Sequence, residues 1–295
     1  MVKVEDSCPV CHSSEGMKTV WNIEDMITQR PFSIVECPHC TMMRTLPVPD
    51  HLGAFYDSDM GRMMVTAPSK THAFLKGLLL GLELRRIISR VSPATFVDVG
   101  CGPGDFACFI HRKGHSVMTA DAGEEPPSAV QASGSIPYYP IDFDRCEIRG
   151  LERFPSSTVI LRHVLEHVRN PKMFLEKLIQ YGASHFYIVV PNTACLERRI
   201  LGRYWGFWDP PRHLWHYNHR ALRFLLESLD LTIMAQGFDT IPNIIPSFYR
   251  YLRVKGVSPL VYNLFKPKGF LSSVSTPLNL FLPKNVAWIL VSVKG

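Results

Sequence analysis

The sequence predicts an α/β fold: a doubly wound, mostly parallel seven-stranded sheet with a small ribbon at its N-terminal end. Three observations predict it. From Phe96 onward, short β-branched runs alternate with amphipathic segments, the order that parallel strands joined by crossover helices require. The run Phe96-Val97-Asp98-Val99 enters a turn with glycines at 100, 102 and 104. An apolar segment follows with no further glycine until Gly114, so the stretch reads as buried strand, tight turn and helix start. Finally, Cys8-Pro9-Val10-Cys11 and Cys37-Pro38-His39-Cys40 form two matched pairs near the N-terminus.

Composition narrows the class. The 295 residues allow one large domain, or one domain with an appendage. A hydrophobic share of 46% and 20% charged residues describe a globular chain with a real core. The net charge of +6 suits an acidic substrate or an anionic membrane surface. Its basic residues are scattered, so no nucleic-acid partner is expected. No leader follows Met1 and no run reaches the ~20 apolar residues of a membrane span, so a cytoplasmic protein is expected, monomer or homodimer.

The ribbon, residues 1–48, comes first. Two thiolates at CxxC spacing share one metal, and two such pairs complete a tetrahedral Zn²⁺ site from Cys8, Cys11, Cys37 and Cys40. The other readings are a redox CxxC or coincidence, but a redox motif does not usually come doubled. Four thiolates leave no open position, so such a zinc staples the fold rather than reacting. His12 and His39 stand beside the knuckles as bystanders. Residues 49–92 follow as a proline-stiffened linker and a helix. Phe55-Tyr56-Asp57 reads as a short helix. Over residues 70–90, Phe74, Leu75, Leu78, Leu79, Leu82, Ile87 and Ile88 recur at helical spacing until Ser92-Pro93. That helix is expected to pack on the sheet edge and cover a ligand; a membrane-surface helix with Lys76, Arg85 and Arg86 is the other reading.

Residues 93–295 carry the chemistry. Glycines at the turn let a ligand rest on the backbone, and the helix start offers free N–H groups to a polar or anionic group. The spacing G-x-G-x-G lacks the wider last gap of the dinucleotide fingerprint and the lysine of a phosphate loop. Val97-Asp98-Val99-Gly100-Cys101-Gly102-Pro103-Gly104 instead closely resembles motif I of the class I S-adenosylmethionine (SAM)-dependent methyltransferases, which implies a Rossmann-like fold and SAM as cofactor. The cysteine pairs, P-x-P and Phe55-Tyr56-Asp57 together resemble the N-terminal part of bacterial methyltransferases of surface-polysaccharide and natural-product pathways.

The later elements follow in order. Residues 115–121 are the second strand, ending in Asp121, where a carboxylate is placed to hold ribose hydroxyls; a loop-capping role is the alternative. Residues 123–134 show little periodicity, so the second helix is short or irregular. Residues 137–143 are the third strand. Asp142-Phe143 matches the family position where an acid meets the adenine amino group and an apolar neighbour stacks on the ring. The resemblance thus implies cofactor contacts from Asp98, Gly100, Cys101, Gly102, Gly104, Asp121, Ala122, Asp142, Phe143, Arg162 and His163.

The fourth strand runs into His163-Val164-Leu165-Glu166-His167-Val168, which resembles the "hvLEHv" step of a large subset of the family. His163, Glu166 and His167 form a pocket wall, a second metal site, or a purely structural turn. Quinone-biosynthesis O-methyltransferases carry Glu-x-x-Glu-His here, and this chain has His163 in place of the first Glu. Residues 171–180 are an amphipathic helix and 185–192 the fifth strand.

Tyr204 to Asn218 holds three tryptophans, an arginine and two histidines, and reads as an aromatic polar lid over a small-molecule site. His213-Leu214-Trp215-His216-Tyr217-Asn218 occupies the family step that aims a histidine at the substrate, with Asn218 capping the next helix. Since SAM brings its own activated methyl, the protein aligns the acceptor and takes its proton, a task for histidine. The candidate bases are His213, then His216, then His163; hydrogen bonding within the lid is the other role for the first two. Residues 231–238 and 287–293 are the last strands, separated by an insertion at about 243–284 that finishes the pocket, packs a dimer, or meets a membrane surface.

The sequence therefore predicts a SAM-dependent methyltransferase with a structural zinc ribbon. The expected acceptor is a hydroxyl on a sugar, polyketide or lipid-linked intermediate. The alternatives are a sugar C-methyltransferase, whose relatives carry a Tyr-His-Glu-His step absent here, and a non-catalytic SAM- or partner-binding zinc-ribbon protein.

Overall fold

A computed structural model describes residues 7–55, 70–240, 244–258 and 284–294. They form two compact units. The first comprises described residues within 1–67, 191–225 and 238–287; the second those within 68–190, 226–237 and 288–295. The first unit thus joins residues 191–225 to the ribbon segment. Most of the expected insertion, and Tyr56-Asp57, lie outside the described residues.

The second unit is built on β4 (Thr95–Val99), whose five residues are all buried, as a strand covered on both faces requires. It pairs in parallel with β5 (Val117–Asp121) and with β8 (Ser157–Arg162). Beyond these lie β6 (Tyr138–Asp142), parallel to β5, and β9 (Ala183–Pro191), parallel to β8. With β7 (Glu147–Ile148), β11 (Leu231–Asp239) and β12 (Val286–Val293), the strand order is β11-β12-β9-β8-β4-β5-β6-β7. The seven expected strands are present, and the two-residue β7 adds an antiparallel edge. The chain moves one way from β4 through β5 to β6 and the other way through β8 to β9. The carboxyl end of β4 is therefore the switch point where such sheets open a crevice.

Helices follow the expected pattern. α2 (Asp105–Arg112) starts directly after the glycine turn, and α3 (Ser128–Ser133) is only six residues long. α4 (Pro171–Gln180) has proline in its first turn and Asn170 as cap, accepting from Met173 N–H at 3.1 Å.

α1 (Lys70–Ile88) forms, but its inward stripe differs from the expected one. Leu80, Leu84 and Ile87 are buried, whereas Leu78 (53% exposed), Leu79 (54%) and Leu82 (50%) face outward. Glu83 and Arg86 set this rotation: Arg86 donates to the Tyr187 hydroxyl at 2.9 Å and lies 4.2 Å over the Trp288 ring. Arg86 is thus engaged with the sheet, not presented as a surface cation. No helix of the described residues is long and apolar enough to cross a membrane.

In the first unit, the segment between the cysteine pairs is a hairpin of two strands. β1 (Lys18–Glu24) and β2 (Pro31–Glu36) pair antiparallel, and β3 (Met43–Leu46) pairs with β2. Asp25 shapes the hairpin turn by accepting from the Thr28 amide at 2.8 Å and its hydroxyl at 2.7 Å. The fourth strand, β10 (Trp215–His216), comes from far along the chain and pairs with β3. Ile23, Ile34, Met43 and Cys195 form one buried cluster with Trp205 and Trp208. The expected aromatic lid is therefore corrected: two of its three tryptophans fill the interior of the ribbon unit. A lone ribbon is too small to enclose a core, so these rings supply it.

Other parts of the unit are tied down by polar groups. Buried Glu197, on α5 (Leu196–Leu201), accepts from Ser247 at 2.7 Å and Asn285 at 3.2 Å; Ser247 lies on α7 (Ile244–Val254). Arg212 bonds Asp25 at 3.1 Å and Asp209 at 2.5 Å, and Asp25 is fully shielded. Burial alone would raise Asp209, but the Arg212 bond and charge hold it down at about 2. Replacing Arg212 with Ala leaves Asp25 as an uncompensated buried charge. It is expected to destabilise the first unit by about 3–5 kcal/mol, read as an earlier midpoint in urea denaturation.

Candidate functional site

Two places in the chain gather chemistry. The first is the carboxyl end of β4. The turn after Val99 is closed by backbone bonds: Gly100 N–H to Ala120 O at 2.7 Å and Gly104 N–H to Cys101 O at 3.0 Å. Gly100 (φ +73°) and Gly104 (φ +81°) are both left-handed, and a Cβ at either would stand 2.4 Å from Val164 or Val130. Those two glycines are needed by the fold itself. A Cβ on Gly102 would meet nothing within 4 Å, so its backbone faces open space, the surface a ligand can use.

Around that turn the charges are graded. Asp98 is buried, and burial pushes its carboxyl up to about 7, partly offset by the Arg162 charge. Arg162, at the end of β8, donates to Glu83 of α1 at 2.9 Å and lies 4.9 Å over the Phe106 ring. Burial also raises the Cys101 thiol, keeping it neutral beside these acids. Asp121, at the end of β5, accepts from Gly102 N–H at 2.6 Å and Ala122 N–H at 2.7 Å. Tyr138 reaches back to the carbonyls of Asp121 and Gly123, and burial pushes its hydroxyl up to about 12. Gly100, Cys101, Gly102, Asp121 and Ala122 are thus one bonded assembly, with Asp98 and Arg162 behind it.

Asp142 and Phe143 have partners of their own. The Asp142 carboxylate accepts from the amides of Asp144 at 2.9 Å and Arg145 at 3.1 Å, capping the turn after β6. Phe143 stacks on Phe174 with centroids 5.9 Å apart. At the end of β8, His163 has φ +56°, a left-handed conformation uncommon for a residue with a side chain. Its Nδ1 lies 3.2 Å from the buried Glu166 carboxylate.

Glu83 and Tyr138 were not singled out from the sequence. Glu83 did carry a signal: it falls at the i+3 position between Leu80 and Ile87, an acid inside an otherwise apolar stripe. Tyr138 carried none beyond its strand.

The second place is the ribbon unit. Cys8 Sγ and Cys40 Sγ are 3.6 Å apart, as are Cys11 Sγ and Cys37 Sγ, and all four sulfurs lie within 4.8 Å of one another. A tetrahedron with Zn–S bonds of ~2.3 Å has edges of roughly 3.8 Å, so the donor set fits that ion. Each knuckle is shaped alike: His12 N–H bonds Cys8 O at 2.9 Å and Thr41 N–H bonds Cys37 O at 3.0 Å, both residues with positive φ. His39 is indeed turned to packing. Its ring lies 5.4 Å from Phe224 and its carbonyl accepts from Arg220 at 2.6 Å. Asn218 caps the following helix, α6 (His219–Glu227), through Ala221 N–H at 2.9 Å, and bonds Thr41 of the second knuckle.

His213 and His216 belong to this unit, with rings 6.4 Å apart; His163 belongs to the other. The His213 Nδ1 lies 2.7 Å from the Phe207 carbonyl. A carbonyl accepts only, so Nδ1 carries a proton; in the neutral ring the lone pair is then on Nε2, the form a general base needs. His216 is fully enclosed: its Nε2 lies 2.9 Å from the Thr45 hydroxyl, and Trp208 meets its ring edge-on at 5.0 Å. Thr45 gives its proton to the His213 carbonyl at 2.7 Å, so His216 Nε2 donates to Thr45. Burial pushes His216 well below 6.5. The second-choice base is thus a buried neutral ring held by Thr45 and Trp208.

Known proteins place this geometry. A family model described as a methyltransferase domain matches residues 76–236, more than half of the chain. A ubiquinone biosynthesis O-methyltransferase of Caulobacter vibrioides is 30% identical over 132 residues, which are 41% of this chain and 52% of that protein. The match therefore spans about half the length of that curated relative. Among solved structures, the Burkholderia thailandensis 1,6-didemethyltoxoflavin-N1-methyltransferase, with bound 1,6-didemethyltoxoflavin and S-adenosylhomocysteine, covers 92% of this chain and 100% of its own. Its identity is 16% and its TM-score 0.51. Coclaurine N-methyltransferase, bound to N-methylheliamine and S-adenosylhomocysteine, covers 78% and 74% at 12% identity with TM-score 0.50. At these identities the likeness is one of fold.

Proposed function

The chain belongs to the methyltransferase-domain family, and we propose that it is a SAM-dependent enzyme that methylates a hydroxyl of a small molecule in a biosynthetic pathway. A sugar, a polyketide or a lipid-linked intermediate is the acceptor. The observation that carries this reading is the glycine turn at the sheet's switch point, with open space over Gly102 and the Asp121 carboxylate bonded to it. The curated relative, an O-methyltransferase by name, favours oxygen as the atom methylated.

When bound, SAM supplies a methyl group already activated by its sulfonium, so the chain's own residues bind, orient and move one proton. Asp121 offers carboxylate oxygens to ribose hydroxyls in exchange for its two amide bonds. Asp98 favours a cationic ligand, since a positive charge nearby stabilises its ionised form. His213, with its lone pair on Nε2, is the candidate base for the acceptor hydroxyl, and His163 stands second. Cys8, Cys11, Cys37 and Cys40 hold a structural Zn²⁺; with four thiolates in place the ion has no position for substrate.

Calorimetry with SAM tests the reading directly, and no binding overturns it. Asp98 must be ionised to favour the cation, and its free-state pKa is about 7. Affinity is therefore expected to be constant above that pH and to fall about tenfold per unit below it, with Asp98→Asn showing weak binding and no such slope. Replacing His213 with Ala is expected to slow S-adenosylhomocysteine formation, assayed against a panel of sugar and phenolic acceptors, about 10²-fold; an unchanged rate moves the role to His163. Metal analysis of the purified chain is expected to find one zinc per chain, lost in Cys37→Ser together with thermal stability of the ribbon unit.

A further inference from the structure

A hollow of about 600 Å³ in the first unit takes no part in the proposed reaction. Trp21 of β1, residues 198–204 and Tyr251 of α7 line it. Three of those residues are arginines, Arg198, Arg199 and Arg203, and no carboxylate among the described residues lies within ion-pairing distance of any of them. The acid that acts on Arg198 at longer range is Glu36. Two lining donors, Arg198 Nε and Trp21 Nε1, are shielded from solvent and have no acceptor among the described residues. Buried donors are held at a cost until an acceptor meets them.

The rest of the wall is carbon. Tyr204 and Tyr251 meet edge-on with centroids 5.1 Å apart, and Ile200 at the lip is 63% exposed. The hollow thus joins surplus positive charge to an aromatic wall. Three guanidinium groups exceed the single charge of a carboxylate and match a phosphate, whose oxygens their planar forks can grip in pairs.

We propose that this hollow binds an organic phosphate, its oxyanion against Arg198, Arg199 and Arg203 and its carbon part against Trp21, Tyr204 and Tyr251. The assignment stands on these residues alone and is independent of the methyl-transfer reading. Phenyl phosphate is the probe, titrated calorimetrically into the full chain. One site per chain is expected, weakened about tenfold or more by Arg199→Glu and by Arg203→Glu, while SAM binding stays unchanged. Both residues are exposed; if charge reversal lowers the melting temperature, Arg199→Gln and Arg203→Gln repeat the test. Phosphatidylcholine vesicles containing phosphatidic acid distinguish the source. Arginine-dependent binding of phenyl phosphate assigns a soluble ligand, and arginine-dependent binding of the vesicles alone assigns a lipid-borne phosphate. Binding of neither probe, equal binding by the arginine variants, or benzoate binding as tightly as phenyl phosphate overturns the proposal.

Discussion

Two backbone pairings, Trp215 with Arg44 and His216 with Met43, close the ribbon's sheet with a strand that arrives from far along the chain. Much else in that unit follows from the closure. It brings Trp205 and Trp208 over Ile23 and Ile34, so a ribbon of three short strands acquires an interior. It also brings Arg212 to Asp25 and Asn218 to Thr41 of the second cysteine knuckle. The four-cysteine cluster and the aromatic core therefore flank the same hairpin. The backbone from 205 to 218 is fixed by packing before any ligand arrives, and His213 inherits its tautomer from that fixed backbone.

The second unit is organised by a different constraint, the absence of side chains where β4 turns into α2. Val164 and Val130 occupy the space that side chains at 100 and 104 would need, so the turn is packed from behind and bare in front. Polar groups then face the bare side: Asp121 on two amides, Asp98 deeper and only half ionised near neutrality. The pairing of Arg162 with Glu83 keeps one positive charge near Asp98 without neutralising it by contact.

Much of this was legible in the sequence, because period and punctuation report local structure directly. The β4 run, the short helix after Pro127, the Asn218 cap and the doubled cysteine pairs were each read from a few adjacent residues. What escaped depended on partners distant in the chain. Three tryptophans near two histidines read as a ligand lid, yet the same composition fills a core when a two-residue strand attaches it to a ribbon 171 residues earlier, as the Thr45–His216 bond does. A two-residue strand has no period to detect. The apolar stripe on α1 was placed one step round the helix because Arg86, a cation by composition, spends its charge on the Trp288 face. Glu83 was overlooked for the same reason: its partner, Arg162, lies on the opposite side of the sheet sequence.

β12 lies between β9 and β11, two strands that precede it in the chain. During synthesis, therefore, both neighbours leave the ribosome while the slot between them is empty. Their facing edges stay unpaired until residues 286–293 emerge, and Arg86 waits equally long for Trp288. Such open edges invite pairing with other chains. The nascent protein thus has an interval of vulnerability whose length is set by the distance, along the chain, between β11 and β12.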